Sequence, residues 1–230
     1  MYFSRRRGYE EHFESENERQ ICLNCLPVLP FNPSSKSTDE EISTFPLLVP
    51  NEHVEADFLI PENFDAARKL FIKSLKYLLF LSVSEENLQQ VQGGRKPTSG
   101  RPLVIFLHGA SARGDSTIDL KSTGLPGLLT TKSVPFLRIS DWLIVSPLCP
   151  KGVEWKSAEI CEVVIALIDF LISAPFNVDS SRIYLTGISM GGLGTWMMAA
   201  RYPRFSAAVP ICGGGNSVFA LKLRDFPMWY

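Results

Sequence analysis

The segment that most restricts this chain is Gly187-Ile188-Ser189-Met190-Gly191, read together with its flanks. As a bare G-x-S-x-G string it says little, since glycine and serine at about 7% each would produce it by chance in roughly one chain in ten of this length. Its setting says more. Upstream, Arg182-Ile183-Tyr184-Leu185-Thr186 reads as a short strand, and downstream Leu193–Arg201 reads as a helix stopped by Pro203. A serine held between strand and helix sits on a sharp turn that projects its hydroxyl above the C-terminal edge of a sheet. The turn demands strained backbone angles and leaves no room for bulk, and Gly187 and Gly191 meet that demand. Gly192 and Gly194 add to a helix start already poor in helix formers, at about 1 kcal/mol each relative to alanine. Close packing of that helix start on neighbouring strands is a reason to keep them. The same helix end directs free N–H groups and the positive end of its dipole toward any negative charge that develops on the serine side.

The surrounding pattern supports a sheet of the required kind. Leu103–Leu107 is a continuous apolar run ended by His108-Gly109, and Trp142–Ser146 is another, ended by Pro147. Both suit strands buried on two faces, as in a parallel sheet. Between Ser157 and Ser173, apolar side chains at Ile160, Val163, Val164, Leu167, Ile168 and Leu171 follow the spacing of a helix that lays one face on a core. Ala207–Ile211 reads as a further strand, ending in Gly213-Gly214-Gly215. Strands alternating with helices predict a doubly wound, mostly parallel α/β sheet. The run Lys69–Ser82 fits either one helix or two strands, and Glu85–Arg101 reads as a loop. Residues 1–44 are expected to be a disordered or loosely attached tail and residues 45–230 the folded domain.

A second piece with chemistry is Leu107-His108-Gly109-Ala110, an apolar strand running into His-Gly. A loop of this kind presents a backbone N–H beside the serine, and Ala110 is the expected donor. The strings Arg101–Asp115, Ser146-Pro147-Leu148-Cys149-Pro150-Lys151-Gly152, Ser181–Trp196 and Ala208–Gly215 resemble, in order, the landmarks of the phospholipase/carboxylesterase and dienelactone-hydrolase-like esterases of the α/β-hydrolase fold. The resemblance covers about residues 75–230. It implies that Ser189 is a nucleophile attacking an ester carbonyl, with the N–H groups of Met190 and Ala110 as an oxyanion hole. It implies further that Gly187, Gly191, His108 and Gly109 support the elbow and its loop, and that no metal or other cofactor takes part.

The chain departs from that family's pattern after the serine. In this fold the triad follows the order Ser, then Asp or Glu, then His. After Ser189 there is one acid, Asp225, and no histidine. Asp225 precedes Phe226-Pro227-Met228-Trp229-Tyr230, which resembles the opening of the strand that the family's catalytic Asp follows, so Asp225 lies on the wrong side of it. Of the three histidines, His108 belongs to the loop beside the serine, while His12 and His53 read as solvated surface residues. The expectation is therefore a chain truncated at its C-terminus, lacking further strands and helices, and weak or inactive for want of a base. Three functions remain open at this point. The first is a serine hydrolase of carboxylic esters or thioesters acting through an acyl-serine intermediate, with a small-molecule substrate. The second is a catalytically silent binding protein that keeps the fold, and the third a fragment of a prolyl-oligopeptidase-like serine peptidase. For the third, the N-terminal region has no room for a propeller.

Composition closes off other classes. The 230 residues, 45% hydrophobic and 20% charged, suit one globular domain with a tail. A formal net charge of -1 provides no attraction to nucleic acid or to an anionic membrane surface. The apolar stretches around Tyr77–Val83 and Val163–Ile172 are too short to span a bilayer. Arg5-Arg6-Arg7 is followed by acidic and polar residues rather than by a signal sequence, so the expected location is the cytoplasm. Five cysteines without a paired framework predict free thiols, with Cys149, Cys161 and Cys212 buried and inert. Cys22 and Cys25 form a C-x-x-C with no second ligand pair nearby and carry no metal assignment. Arg113-Gly114-Asp115 reads as an ordinary loop, and Trp155 and Trp196 as core residues before pocket residues. Oligomeric state is not legible here.

Overall fold

The runs read as buried strands lie together as the interior of one sheet. In the computed structural model, which describes residues 53–82, 100–130, 141–174 and 176–230, six strands pair in the order β1-β2-β4-β3-β5-β6. They are β1 (His53–Leu59), β2 (Ser74–Leu81), β3 (Arg101–Leu107), β4 (Leu143–Pro147), β5 (Val178–Ile188) and β6 (Ala207–Ile211). The described residues belong to a compact unit spanning Phe31–Tyr230. The expected tail at residues 1–44, with His12, Cys22 and Cys25, lies outside them, as does nearly all of the expected loop between Glu85 and Arg101. Arg101 itself opens β3 rather than closing that loop.

Strands β4, β3, β5 and β6 run parallel, and β2 joins β4 antiparallel. The sheet is thus mixed and mostly parallel. In β3, Leu103, Ile105, Phe106 and Leu107 are all buried, because β4 and β5 flank the strand and helices cover its faces. A strand covered on both sides has no polar face to show, which is why its sequence does not alternate. Helix α4 (Ala158–Ser173) presents Ile160, Val164, Leu167 and Leu171 to that core, as its spacing requires. It packs on the short helix α1 (Asp65–Leu70), and its Phe170 ring meets that of Phe58 in β1 at 5.4 Å. Between β3 and β4 lie the short helices α2 (Ile118–Ser122) and α3 (Gly124–Thr130).

Three expectations change. Lys69–Ser82 is neither one helix nor two strands: Lys69 and Leu70 end α1, and Ser74–Leu81 is a single strand. The break falls at Phe71, whose φ of 56° puts it in the left-handed region and whose N–H caps the carbonyls of Ala67 and Arg68. Strand β5 begins earlier than Arg182, because a register shift lets Val178 pair with Arg101 while Ile183 pairs with Leu103. The extra residues are held by the Asp179 carboxylate, which accepts from the Ser181 N–H at 2.9 Å and Arg182 Nε at 2.7 Å. Helix α5 (Met190–Arg201) begins at Met190, not Leu193, so Gly191, Gly192 and Gly194 are in its first turns. A Cβ on Gly192 would lie 2.7 Å from the Ile211 carbonyl oxygen, and one on Gly194 would lie 2.4 Å from Trp155 Cβ. Close approach of the helix start to β6 and to Trp155 accounts for both glycines. Strand β1 had no expectation attached to it; its exposed Glu55, Asp57 and Leu59 give an edge-strand pattern that a search for apolar runs passes over.

Candidate active site

Strand β5 ends at Ile188 and helix α5 starts at Met190, which leaves Ser189 alone on the turn. Its backbone has φ 55° and ψ −113°, a conformation that costs a non-glycine residue on the order of 1–3 kcal/mol. Two bonds hold it there: its N–H donates to the Ile211 carbonyl at 2.8 Å, and its carbonyl accepts the Leu193 N–H at 3.0 Å. The side chain is exposed. On either side there is no space for a methyl group. A Cβ on Gly191 would sit 1.9 Å from the Leu107 carbonyl oxygen, and one on Gly187 would sit 2.5 Å from the Gly191 carbonyl oxygen. The turn is therefore closed to every residue but glycine at both positions.

The loop after β3 runs beside this turn. An ideal Cβ on Gly109 would lie 3.8 Å from Ser189 Cβ, so the backbone of Gly109 faces the serine. The next residue, Ala110, opens a 3-10 turn (Ala110–Ala112), as Met190 opens α5. A first residue has no intrahelical acceptor for its N–H, and among the described residues neither of these amides has one elsewhere. Two N–H groups with no acceptor among the described residues thus belong to the residues that directly follow Ser189 and Gly109.

His108 is buried at 1% exposure and is fully engaged. The backbone N–H of Cys149 donates to its Nε2 at 2.9 Å. Since that nitrogen accepts, the proton of the neutral ring is on Nδ1, which donates to the Gly109 carbonyl at 2.7 Å. Burial, reinforced by the charge of Arg113, holds the imidazole below its ordinary pKa and keeps it neutral. With its lone pair taken, His108 is not placed as a general base. Trp155 is wholly buried and its Nε1 donates to the His108 carbonyl at 2.9 Å, so it is a core residue. Trp196, partly buried, donates to the Gly213 carbonyl at 3.0 Å.

The other titratable groups lie elsewhere. His53 is half-buried, not solvated: it packs on the Phe80 ring at 5.0 Å, and its Nε2 is 3.1 Å from the Pro126 carbonyl. Burial lowers its pKa too. Asp225 is exposed and paired with Arg224 at 3.3 Å. Just after it, Met228 bridges Ala208 in parallel register, with the Trp229 N–H donating to the Ala208 carbonyl at 3.1 Å. Asp225 thus stands at the end where the parallel strands begin, whereas Ser189 stands beyond the end of β5. Cys149 and Cys161 are buried, and burial pushes both thiols up to about 12. Cys212 is exposed, contrary to expectation, because the chain turns through a positive φ of 51° directly after β6. Among the described residues no cluster of His, Cys, Asp and Glu is placed to hold a metal ion, and no helix is long and apolar enough to cross a membrane.

No protein-family model matches the chain. Over 58 residues, 25% of this chain and 20% of the relative, it is 40% identical to feruloyl esterase B of Neurospora crassa. Over 44 residues, 19% of this chain and 11% of the relative, it is 48% identical to poly(3-hydroxyalkanoate) depolymerase C of Paucimonas lemoignei. Among solved structures, a thermostable esterase matches 77% of this chain and 45% of its own length, with a TM-score of 0.60 and 29% identity. The chain spans less than half the length of these relatives. Its fold is that of the α/β-hydrolases. Within that fold, its likeness is to a thermostable esterase and, over shorter stretches, to the feruloyl esterase and the depolymerase.

Proposed function

We propose that this chain is a serine hydrolase of carboxylic esters in which Ser189 is the nucleophile and the N–H groups of Met190 and Ala110 form the oxyanion hole. The observation that carries the reading is the exposed serine on a strained turn, with the Met190 amide next in the chain and the Gly109 backbone facing it. Backbone strain of this kind persists only where the surroundings enforce it, and Leu107, Ile211 and the paired glycines do so here. Each oxyanion donor is worth about 3–4 kcal/mol of transition-state stabilisation once charge moves onto the carbonyl oxygen. The names of the relatives, two of them esterases, support an ester as substrate. The chemistry then runs through an acyl-serine that water hydrolyses.

A second reading has its own observation. No histidine follows Ser189, and His108 has both ring nitrogens occupied. A serine without a base is a poor nucleophile. Loss of a triad member leaves residual catalysis of about 10³–10⁴ over water, so with no base from outside these 230 residues Ser189 is expected to react slowly, whereas a fold kept for binding alone would not react. Treatment of the purified chain with a fluorophosphonate, followed by intact-mass measurement, separates the two. Slow labelling that vanishes in Ser189→Ala supports the hydrolase. A protein folded by circular dichroism that takes up no label supports the silent scaffold.

A further inference from the structure

The direction of an amide N–H is set by the carbonyl that shares its peptide plane. Gly109 C=O and Ala110 N–H belong to one planar trans unit, so whatever fixes the carbonyl also fixes the donor. Two groups hold the Gly109 carbonyl: His108 Nδ1 at 2.7 Å and the Ala112 N–H at 3.2 Å. The first of these exists only in one tautomer, and that tautomer is enforced from the other side of the ring by the Cys149 N–H at 2.9 Å.

We propose that His108 is a positioning residue whose Nδ1–H tautomer, imposed by the Cys149 amide after β4, aims the Ala110 N–H at the oxyanion site. The proposal rests on the hydrolase reading of Ser189 and adds to it the source of the donor's orientation. The loop that follows β4 then becomes part of the catalytic support. Other bonds hold the same two loops in register. Trp155 Nε1 donates to the His108 carbonyl at 2.9 Å, the Gly114 N–H donates to the Cys149 carbonyl at 3.2 Å, and Lys151 pairs with Asp115 at 3.3 Å. Arg113 spans both, with Nε on the Ala110 carbonyl at 3.2 Å and Nη1 on the Val153 carbonyl at 3.3 Å. It fixes the peptide plane that follows the donor's own.

Protonation defeats the arrangement. An imidazolium has no lone pair on Nε2, so the Cys149 N–H would lose its acceptor and the ring would be pushed from between the loops. Of the groups at the ring, the Cys149 amide and the Arg113 guanidinium oppose that charge and the Gly109 carbonyl favours it, but burial, with the Trp155 indole packed at 5.3 Å, outweighs the carbonyl. A neutral, tautomer-locked ring is the state this setting selects.

The test combines a spectroscopic signature with a rate. In the ¹⁵N-labelled chain, the His108 ring is expected to show a protonated Nδ1 and a bare Nε2 at pH 7, and not to titrate near the ordinary value of about 6.5. A proton on Nε2, or ordinary titration, overturns the proposal without reference to activity. His108→Asn and His108→Gln are expected to slow fluorophosphonate labelling of Ser189 at least about tenfold, given that losing an oxyanion donor outright costs roughly 10²–10³. Labelling of the folded variants at the parent rate overturns the aiming role. A folded parent that takes no label fails differently: it removes the hydrolase reading of Ser189, and the aiming role falls with it. Should either variant fail to fold, the ring signature in the parent still decides.

Discussion

Ser189 carries the clearest stored cost in the molecule. Its φ of 55° and ψ of −113° suit glycine, so Ser189→Gly should release the strain, less the extra entropy of an unfolded glycine chain. The expected net gain is about 1 kcal/mol, or roughly 2–4 °C in Tm for a chain of this size. Ser189→Ala keeps the strain and is expected to unfold within a degree or so of the parent. Equal midpoints for the Gly and Ala variants in calorimetry would mean that the turn is not strained. The histidines make a second prediction. Burial lowers the pKa of both His108 and His53 in the folded chain. On acidification the unfolded state therefore takes up protons first, near the ordinary value of about 6.5, and stability falls from there downward. Above about pH 7 this contribution is constant. Each group adds at most about 1.4 kcal/mol per pH unit to the slope. Urea midpoints between pH 7 and 5 are expected to fall in the parent, and to fall less steeply in His108→Gln.

At the scale of elements, the join between α1 and β2 decides the local fold. Phe71 terminates the helix in a left-handed conformation while 94% exposed, so a bulky side chain bears the conformational cost and recovers almost nothing by burial. Phe71→Gly is expected to stabilise the chain by about 0.5–1 kcal/mol, read as a higher urea midpoint with an unchanged slope. A lower midpoint would mean that the phenyl ring has a partner. Two runs show why pattern reading succeeded in one place and failed in another. Helix α4 buries residues 163–168 without a break, yet Glu159, Glu162 and Asp169 stay partly exposed, so a period of 3.6 is still visible in Ile160, Val164, Leu167 and Leu171. Strand β2 lies between β1 and β4 with residues 77–82 all buried, and a run apolar on both faces has no period to read.

For the molecule as a whole, stability should grade from the middle of the sheet outward. Strand β3 pairs on both sides and is sealed above and below, whereas among the described residues β1 is paired only through β2, and Trp229 meets β6 by a bridge at Ala208. Native-state hydrogen exchange is expected to be slowest at Ile105 and Leu185 and fastest at alternate amides of β1, with the Trp229 N–H close to the fast end. Uniform protection across the sheet would contradict that grading. The placement of the candidate site follows from the same layout. Parallel strands put every C-terminal end at one edge, so the loops after β3, β4 and β5 meet there although they are far apart in the chain.

The sequence alone was enough for the strand-turn-helix at Ser189, for the central parts of the strands β3 to β6 and for α4, because each is stated by local rules: glycine where a Cβ has no room, apolar runs where both faces are covered, polar residues at helical spacing where a helix meets solvent. The order of the strands, the antiparallel placing of β2 and the exposure of Cys212 were decided by the fold. So was the protonation state of His108, since one ring nitrogen answers to the next residue and the other to Cys149, 41 positions on. No local pattern encodes a hydrogen bond whose partner is brought in by a neighbouring strand.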